Sequence, residues 1–471
     1  MITRNSRQAQ CITTTIDNDF NGILDLSVRF GKTRVGVAIA NAYMFKNPGK
    51  SVVVIVPSIA VKLMWEKEVE EQKSENHITI ATSYQTLSIN GYLRIGLLIV
   101  DECHKFISPE TYRLINGDIV KYDKIIMLTG TLPHKDLLYK LTSIVPIIDT
   151  ITEKEAIANN WVSNYVEYNI ALELTDNEKE RYVKYTKDMS LLFAKYKSVY
   201  KFITYANAQL FDNEFTLLYS ITRGFNNKII GYIHSDLIKQ AISNKMNCNS
   251  DTNALWSIDV ITNDGKLFTK SVNNRNTIMA ASNLKLKAVL YILNKLKLKT
   301  VIFSESVGLA DRIADEYNKL FPNKAISYHS KIESKPLIDY NTGDFYRYKG
   351  GLKAGEPKVF SKDKQLEYII AAFDAGFIDV ISAVKALDEG ITIPGVESII
   401  TTSGSMNPIQ YDQRTARGKT YVNEDKVAKI YNIFFDDFNL DGIMYNSRDR
   451  EKLMSRQRYN NDVLKINIDE L

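Results

Sequence analysis

The sequence has few of the residues that mark small cross-linked, fibrous or disordered proteins. Its 471 residues include three cysteines, ten prolines and 22 glycines. The cysteines at positions 11, 103 and 248 are too few and too scattered for a disulfide framework or a zinc cluster. The low proline and glycine content argues against a disordered or fibrous chain. We therefore expect a globular protein in a reducing compartment.

Long apolar runs and a strong net charge are also missing. No apolar run approaches the roughly 18 residues that a membrane span needs, and the N-terminus lacks the apolar core of a signal peptide. The 60 basic and 55 acidic residues leave a formal net charge of +5, which excludes polyanion binding by bulk charge alone. The sequence thus predicts a soluble cytoplasmic protein, with about three domains at roughly 150 residues each.

Short, continuous apolar runs are present in two sets. The first set covers residues 23–26, 51–57, 78–84, 97–102 and 124–130, and the second covers 300–304, 325–329, 379–383, 396–402 and 428–435. Strands that are apolar throughout have both faces covered, as in a parallel α/β sheet. Amphipathic stretches such as 60–72 predict helices between the strands. We expect two α/β sheets of similar design.

The segment between the two sheets has a different pattern. Residues 179–203 look helical, and Asp264-Gly265 stands between two strand-like runs in 257–272, which indicates a β-hairpin. A glycine-rich segment, 339–362, interrupts the second sheet. The predicted organisation is a first α/β domain over 1–152, a crossover segment and mostly helical insert with a small hairpin over 153–284, a second α/β domain over 285–440, and a helical tail over 441–471.

Basic and aromatic residues concentrate in the predicted helix, where they allow two interpretations. Residues 179–201 contain seven basic and two acidic side chains, which suits a helix that follows a phosphate backbone while tyrosines stack on bases. However, apolar and tyrosine positions recur at alternating spacings of three and four, the pattern of a buried stripe. The tyrosines are Tyr182, Tyr185 and Tyr196. Residues 345–349 of the glycine-rich segment likewise fit either a hairpin that separates strands or a solvated loop.

The first chemical signal follows the first predicted strand. Gly31-Lys32-Thr33 leads into a predicted helix, and strand, loop, GK[ST] and helix together form a phosphate-binding arrangement. Backbone N–H groups would face the phosphates, Lys32 would reach the β- and γ-phosphate oxygens, and Thr33 would bind Mg²⁺. Leu26 stands where the first glycine of the pattern belongs.

A second chemical signal is a pair of acidic residues, which the phosphate-binding pattern alone does not provide. The apolar strand 97–100 delivers Asp101 and Glu102 at its carboxyl end. Such a pair can bind Mg²⁺ through the aspartate and polarise the attacking water through the glutamate. The two signals, in this order, predict a nucleoside triphosphatase that uses ATP and Mg²⁺.

The quartet Asp101-Glu102-Cys103-His104 resembles that of superfamily 2 helicases and translocases, and further segments agree in order. Residues 52–70, 81–87 and 128–133 resemble motifs Ia, Ib and III, and residues 301–306, 382–402 and 406–420 resemble motifs IV, V and VI. Residues 155–182 are similar to the crossover segment of the restriction-enzyme and XPB-like branch. The resemblance implies two RecA-like parallel-sheet domains in tandem, with a mostly helical insert between them.

The resemblance also implies residue roles. ATP would be bound by Arg7, Gln10, Arg29, Phe30, Gly31, Lys32, Thr33, Arg34 and Gly390, the first two at the adenine. His104, Thr129 and Thr131 would couple ATP to nucleic acid. Nucleic acid would be bound by Pro57, Ser58, Thr82, Tyr84, Gln85, Ser304 and Lys385. In motif VI, Gln413, Arg414 and Arg417 match; Arg417 is the expected arginine finger and Arg414 the second choice. Ala416, Thr420 and Thr392 depart from the family pattern.

These features together predict an ATP-dependent DNA helicase or translocase. The compact form resembles phage-encoded branch-migration helicases, which implies a monomer in the host cytoplasm acting on forked or junction DNA in recombination, replication or repair. RNA stays open as a partner. Two alternatives remain: a translocase subunit of a restriction-modification system, and a nucleic-acid-binding scaffold whose ATPase has decayed.

Overall fold

The computed structural model describes residues 2–74, 78–87, 93–132, 135–206, 258–340, 342–384, 393–403, 408–418, 427–447, 449 and 464–465. Contacts divide the chain into two units. The first unit comprises Met1–Ile170, Ala288–Ile433 and Glu451–Leu471, and the second comprises Ala171–Lys287 and Phe434–Arg450. None of the described helices is long and apolar enough to cross a membrane.

A six-stranded sheet forms the N-terminal part of the first unit. Its strands are β1 Gly22–Leu26, β2 Val52–Val56, β3 Ile78–Thr82, β4 Leu93–Asp101, β5 Val120–Thr129 and β6 Ile147–Ile151. They lie in the order β3-β2-β4-β5-β1-β6, and every adjacent pair is parallel. The predicted parallel α/β sheet is therefore confirmed. β6 was not among the predicted strands.

Seven helices accompany this sheet. They are α1 Arg4–Asp17, α2 Lys32–Lys46, α3 Ile59–Glu71, α4 Ser83–Leu87, α5 Pro109–Ile115, α6 Lys135–Thr142 and α7 Glu153–Ala158. α3 begins where Ser58 Oγ accepts the N–H of Val61, a side-chain cap that fixes its start. β2 is buried along its whole length and packs in one core cluster with Trp65 of α3.

The remaining strands belong to the second sheet and to two small sheets of two strands each. They are β7 Asn164–Leu172, β8 Thr300–Ser304, β9 Ala325–His329, β10 Lys335–Pro336, β11 Val359–Phe360, β12 Val380–Val384, β13 Ser398–Thr401, β14 Val427–Phe435, β15 Phe438–Leu440, β16 Ile443–Tyr445 and β17 Leu464–Lys465. The second sheet has seven strands in the order β17-β7-β14-β13-β8-β12-β9, and the two small sheets pair β10 with β11 and β15 with β16. The run from β14 through β13, β8 and β12 to β9 is parallel throughout. Two α/β sheets in tandem are thus present, as predicted.

The second unit is built on two long helices, α8 Asp176–Ala206 and α9 Ile258–Ala280. The predicted hairpin at 257–272 is wrong, because Asp264-Gly265 lies inside α9. Phe268, Val272 and Met279 are buried along this helix at helical spacing. That packing outweighs the turn preference of Asp-Gly and the cost of about 1 kcal/mol for a glycine within a helix.

The tyrosine stripe of α8 is used for packing at its described end. Tyr182, Met189 and Leu192 are buried, whereas Lys184 and Lys187 are exposed. The Tyr182 hydroxyl donates to the Asn446 carbonyl at 2.9 Å, and its ring meets Phe438 edge-on. The packing interpretation is confirmed for Tyr182; the side chain of Tyr196 lies outside the described residues.

Four further helices are described in the part of the chain that forms the second sheet. They are α10 Asn283–Leu296, α11 Val307–Leu320, α12 Lys362–Asp374 and α13 Pro408–Thr415, the last of which lies in motif VI. The glycine-rich segment folds back between β10 and β11, which pair antiparallel. The Tyr346 ring packs against Phe360 and Tyr368. In the range predicted as a helical tail, 441–471, residues 443–445 form β16 and 464–465 form β17, whereas Asp449 is helical; most of the range lies outside the described residues.

Candidate active site

The phosphate loop spans residues 27–31 between β1 and α2. Gly31 has a φ of +103°, in the left-handed region, and caps α2. A Cβ atom there would lie 2.6 Å from the Gln8 Nε2 atom. Leu26 is the buried last residue of β1. The strand therefore continues through the position where the general pattern has its first glycine.

Two side chains of α1 hold this loop from outside. Gln8 Nε2 and Arg4 Nε each donate to the Phe30 carbonyl at 2.8 Å, and Arg4 also donates to the Arg29 carbonyl. Neither residue was predicted from the sequence. Their spacing of four on a helix was the available signal, since it places them on one face.

Lys32 lies at the first turn of α2, and its ammonium is 3.3 Å from the Glu102 carboxylate. Gly130, in motif III, makes room for it: a Cβ atom at Gly130 would lie 2.6 Å from Lys32 Nζ and 3.0 Å from the Leu26 carbonyl oxygen. The lysine, the glutamate and the motif III glycine therefore meet at the carboxyl edge of the first sheet.

Asp101 and Glu102 end β4 in different electrostatic environments. Asp101 is 4% exposed, and burial together with the neighbouring Glu102 charge raises its pKa to about 6. Burial also opposes ionisation of Glu102, but the charge of Lys32 prevails and lowers the Glu102 pKa below its usual value. Glu102 has a left-handed φ of +50°. Such a conformation in a non-glycine residue costs on the order of 1 kcal/mol and is typical of functional positions.

The donor set at this edge fits Mg²⁺. The Asp101 Oδ1 atom accepts the Glu102 N–H at 2.9 Å and Oδ2 accepts the Trp65 Nε1–H at 2.7 Å. Each carboxylate oxygen keeps a further lone pair. Thr33 lines the same cavity. Carboxylate and hydroxyl oxygens are the ligands that Mg²⁺ prefers.

The three predicted coupling residues lie together. His104 Nδ1 is 3.0 Å from Thr129 Oγ1, and Thr129 Oγ1 donates to the Thr131 carbonyl at 2.9 Å. Because the hydroxyl proton is used on Thr131, Nδ1–H of His104 is the donor to Thr129. His104 is buried, and burial lowers its pKa to about 4, so the ring is neutral at neutral pH.

A cavity of about 610 Å³ lies between the phosphate loop, the Asp101–Glu102 pair and motif VI. It is lined by most of the predicted ATP-site residues: Arg29, Gly31, Lys32, Thr33, Arg34, Asp101, Glu102, Gln413 and Arg417. Arg29 Nε donates to the Ala416 carbonyl at 3.3 Å, which joins the phosphate loop to the turn before Arg417. Burial, with a contribution from Arg4, lowers the pKa of Arg29 to about 10.

The two candidate finger arginines differ in placement. Arg417 lines the cavity. Arg414 is buried elsewhere, with its guanidinium carbon 5.3 Å from the centre of the Phe303 ring. The geometry therefore supports Arg417 over Arg414 as the residue that faces a nucleotide.

The predicted adenine contacts lie outside the cavity lining. Arg7 forms a two-pronged ion pair with Asp149, at 2.7 and 2.6 Å, and Gln10 is exposed. Arg4, Asn5 and Gln8 of the same helix line the cavity instead. Phe30 is buried against Trp161 and shapes the loop from behind.

The predicted nucleic-acid contacts are placed in several ways. Pro57 lines the nucleotide cavity. Thr82 and Gln85 cap each other at the start of α4. Ser304 is buried and its hydroxyl accepts the Ser306 N–H. The Tyr84 side chain, Lys385 and Gly390 lie outside the described residues, as do Thr392 and Thr420.

Comparison with known proteins gives one family match. Residues 284–419 match the family described as the helicase conserved C-terminal domain, a range that covers β8 to motif VI. This match confirms the predicted helicase resemblance over these residues, which are less than half of the chain, while the phage-encoded branch stays a prediction. No curated protein matches the chain. Among solved structures, the helicase domain of Pyrococcus furiosus Hef is similar over 96% of this chain and 97% of that one, with 14% identity and a TM-score of 0.46.

Proposed function

Because the chain carries a helicase conserved C-terminal domain, we propose that it hydrolyses ATP in a nucleic-acid-dependent manner and moves on, or unwinds, DNA. The substrates that we propose are forked and junction DNA, and the compartment is the cytoplasm. The observation that carries the proposal is the shared cavity, in which Lys32 and Glu102 meet the motif VI residues Gln413 and Arg417.

The side chains divide the work of phosphoryl transfer. Lys32 and the N–H groups at the start of α2 bind the β- and γ-phosphates. Glu102, whose lowered pKa keeps it ionised, orients and deprotonates the attacking water. Thr33 and Asp101 would hold Mg²⁺, which would supply positive charge to neutralise the phosphates. Arg417 stabilises charge on the transferring phosphoryl group, an effect worth several kcal/mol.

The Lys32–Glu102 ion pair suggests how the site is kept in order without nucleotide. The lysine and the glutamate satisfy each other at 3.3 Å. A γ-phosphate competes for the same ammonium, so its binding leaves the glutamate carboxylate available to water. Gly130 leaves room for the ammonium in its observed position, because a Cβ atom there would lie 2.6 Å from Lys32 Nζ.

The test is ATP turnover with and without DNA in wild type, Lys32→Ala and Glu102→Gln. We expect DNA to stimulate the wild type and both variants to lose at least about a hundredfold in rate. Arg417→Ala should lose hydrolysis while it retains ATP binding, and Arg414→Ala is the matched arginine control. Equal turnover in wild type and variants would support the alternative of a decayed ATPase.

The substrate is tested by strand separation. Forked DNA, four-way junctions, linear DNA duplexes and RNA duplexes of matched length are incubated with the protein and ATP, and the products are resolved on one gel. We expect forks and junctions to be converted and linear duplexes to be converted more slowly. Equal conversion of all substrates, RNA included, would contradict the branched-DNA proposal.

A further inference from the structure

Trp65 is a buried side chain of α3 that reaches the candidate metal ligand. Its indole Nε1–H donates to Asp101 Oδ2 at 2.7 Å, and the indole has no solvent exposure. A hydrogen bond from an indole to a buried carboxylate is charge-assisted and stronger than one between neutral groups. An ordinary core tryptophan needs a partner for this N–H, but a backbone carbonyl suffices, as for Trp161 and Ile2.

The indole is seated by a small residue on the neighbouring helix. A Cβ atom at Gly36 of α2 would lie 2.3 Å from Trp65 Cη2 and 3.0 Å from Leu128 Cδ1. Only a glycine allows the ring to lie this close to α2. The orientation of the Nε1–H is therefore set by α2 together with α3, and not by α3 alone.

The bond fixes the rotation of the Asp101 carboxylate. Its other oxygen, Oδ1, accepts the N–H of Glu102 at 2.9 Å. Because each oxygen accepts one hydrogen bond, the carboxylate cannot rotate about its Cβ–Cγ bond without breaking one of them. The lone pairs that are left for a metal ion therefore point in a fixed direction. Lys32 lies near the same carboxylates, so Asp101 would otherwise be drawn toward the ammonium.

We propose that Trp65 is a positioning residue that locks Asp101 in the orientation needed to bind the Mg²⁺ of a bound nucleotide. This inference rests on the proposed function, because it assumes an Mg-nucleotide in the cavity. α3 also lines that cavity through Val61, Met64 and Glu68. A displacement of α3 would thus reach the metal ligand directly through the indole.

The experiment compares Trp65→Phe with Trp161→Phe. Phe keeps an aromatic ring and removes the N–H, and Trp161 is a buried tryptophan of the same core cluster whose N–H reaches only a backbone carbonyl. Binding of a fluorescent, non-hydrolysable ATP analogue is measured across a Mg²⁺ series, and Mn²⁺ binding to the protein–analogue complex is followed by electron paramagnetic resonance. Thermal unfolding reports on folding.

We expect Trp65→Phe to need about tenfold more Mg²⁺ for half-maximal analogue binding and to bind Mn²⁺ about tenfold more weakly, as for the loss of one charge-assisted hydrogen bond. Analogue affinity in EDTA should stay within about twofold of wild type, because the metal-independent contacts are unchanged. Trp161→Phe should keep the wild-type Mg²⁺ requirement. A folded Trp65→Phe with that same requirement would overturn the proposal.

Gly36→Ala provides a second variant that keeps the N–H and displaces the ring. We expect it to raise the Mg²⁺ requirement as Trp65→Phe does, and Gly36→Ala with Trp65→Phe to add nothing further. If Trp65→Phe does not fold, Gly36→Ala is the variant that tests the proposal. An unchanged Mg²⁺ requirement for analogue binding in this variant would overturn it. If wild type itself binds the analogue without any dependence on Mg²⁺, the proposed function fails and not the role of Trp65 alone.

Discussion

The neutral His104 makes a testable contribution to the pH dependence of stability. Its folded pKa is about 4, against 6.5 for an ordinary histidine, because burial disfavours the imidazolium. The unfolded chain therefore binds more protons than the folded chain between these two values, so this group lowers the free energy of unfolding as the pH falls through that window. We expect the change His104→Asn to remove this dependence, since an amide does not titrate and its N–H can replace Nδ1–H toward Thr129.

The magnitude follows from the two pKa values. Between pH 7.5 and pH 4.5 the histidine should cost the wild type about 2.5 kcal/mol of unfolding free energy, and the residue is buried enough that little solvent screening reduces this figure. Asp101 and Asp25, whose pKa values burial raises to about 6, act in the opposite direction. They are present in both proteins, so the difference between wild type and variant reports the histidine together with its effect on the neighbouring Glu102.

The assay is urea unfolding followed by circular dichroism at both pH values. The wild type should lose about 2 to 3 kcal/mol more than His104→Asn on acidification. Parallel losses in the two proteins would refute the reasoning, as would a His104 pKa near 6.5 measured by nuclear magnetic resonance in the folded protein.

Three further changes test other parts of the structure. Lys285→Met leaves the buried carboxylate of Asp449 without its ammonium, and we expect about 3 to 5 kcal/mol less unfolding free energy in urea titrations, recovered largely by adding Asp449→Asn. Tyr411→Phe removes the hydroxyl bond to Glu167 that fixes α13, and steady-state kinetics should show a severalfold lower kcat at unchanged KM. Gly130→Ala should displace Lys32 and weaken binding of an ATP analogue by about tenfold in equilibrium titrations, whereas Gly350→Ala, at an exposed and open position of the glycine-rich segment, should not.

Most of the strands that the sequence predicted are buried on both faces, although β3 is only partly buried. β2 and β8 are covered throughout, and an apolar run is visible without any tertiary information. β6 and β7 escaped prediction because they are half exposed, so their polar and apolar residues are mixed. The hairpin predicted at Asp264-Gly265 was wrong because the packing of α9 outweighed a local turn signal.

The same distinction applies to the candidate site. Lys32, Asp101 and Glu102 could be predicted because parallel strands present their carboxyl ends at one edge, so residues that follow two strands meet there. The contact of Trp65 with Asp101 could not, because it depends on Gly36, on the angle of α3 and on the indole rotamer together. Arg4 and Gln8 were missed for a related reason: they act on backbone carbonyls of the phosphate loop, which leave no mark in the sequence of the loop.

Two departures from the helicase motifs do not disturb the geometry of the candidate site. Leu26 replaces a loop glycine, but β1 continues through this position and the side chain belongs to the core. Ala416 replaces a glycine in motif VI, but the group that it contributes is its carbonyl oxygen, which accepts from Arg29 and is common to all residues. At Ala416 the backbone makes the contact, whereas at Gly31 and Gly130 an added Cβ atom would lie 2.6 Å from Gln8 Nε2 and from Lys32 Nζ, respectively. Leu26 and Ala416 therefore give no support to the alternative of a decayed ATPase.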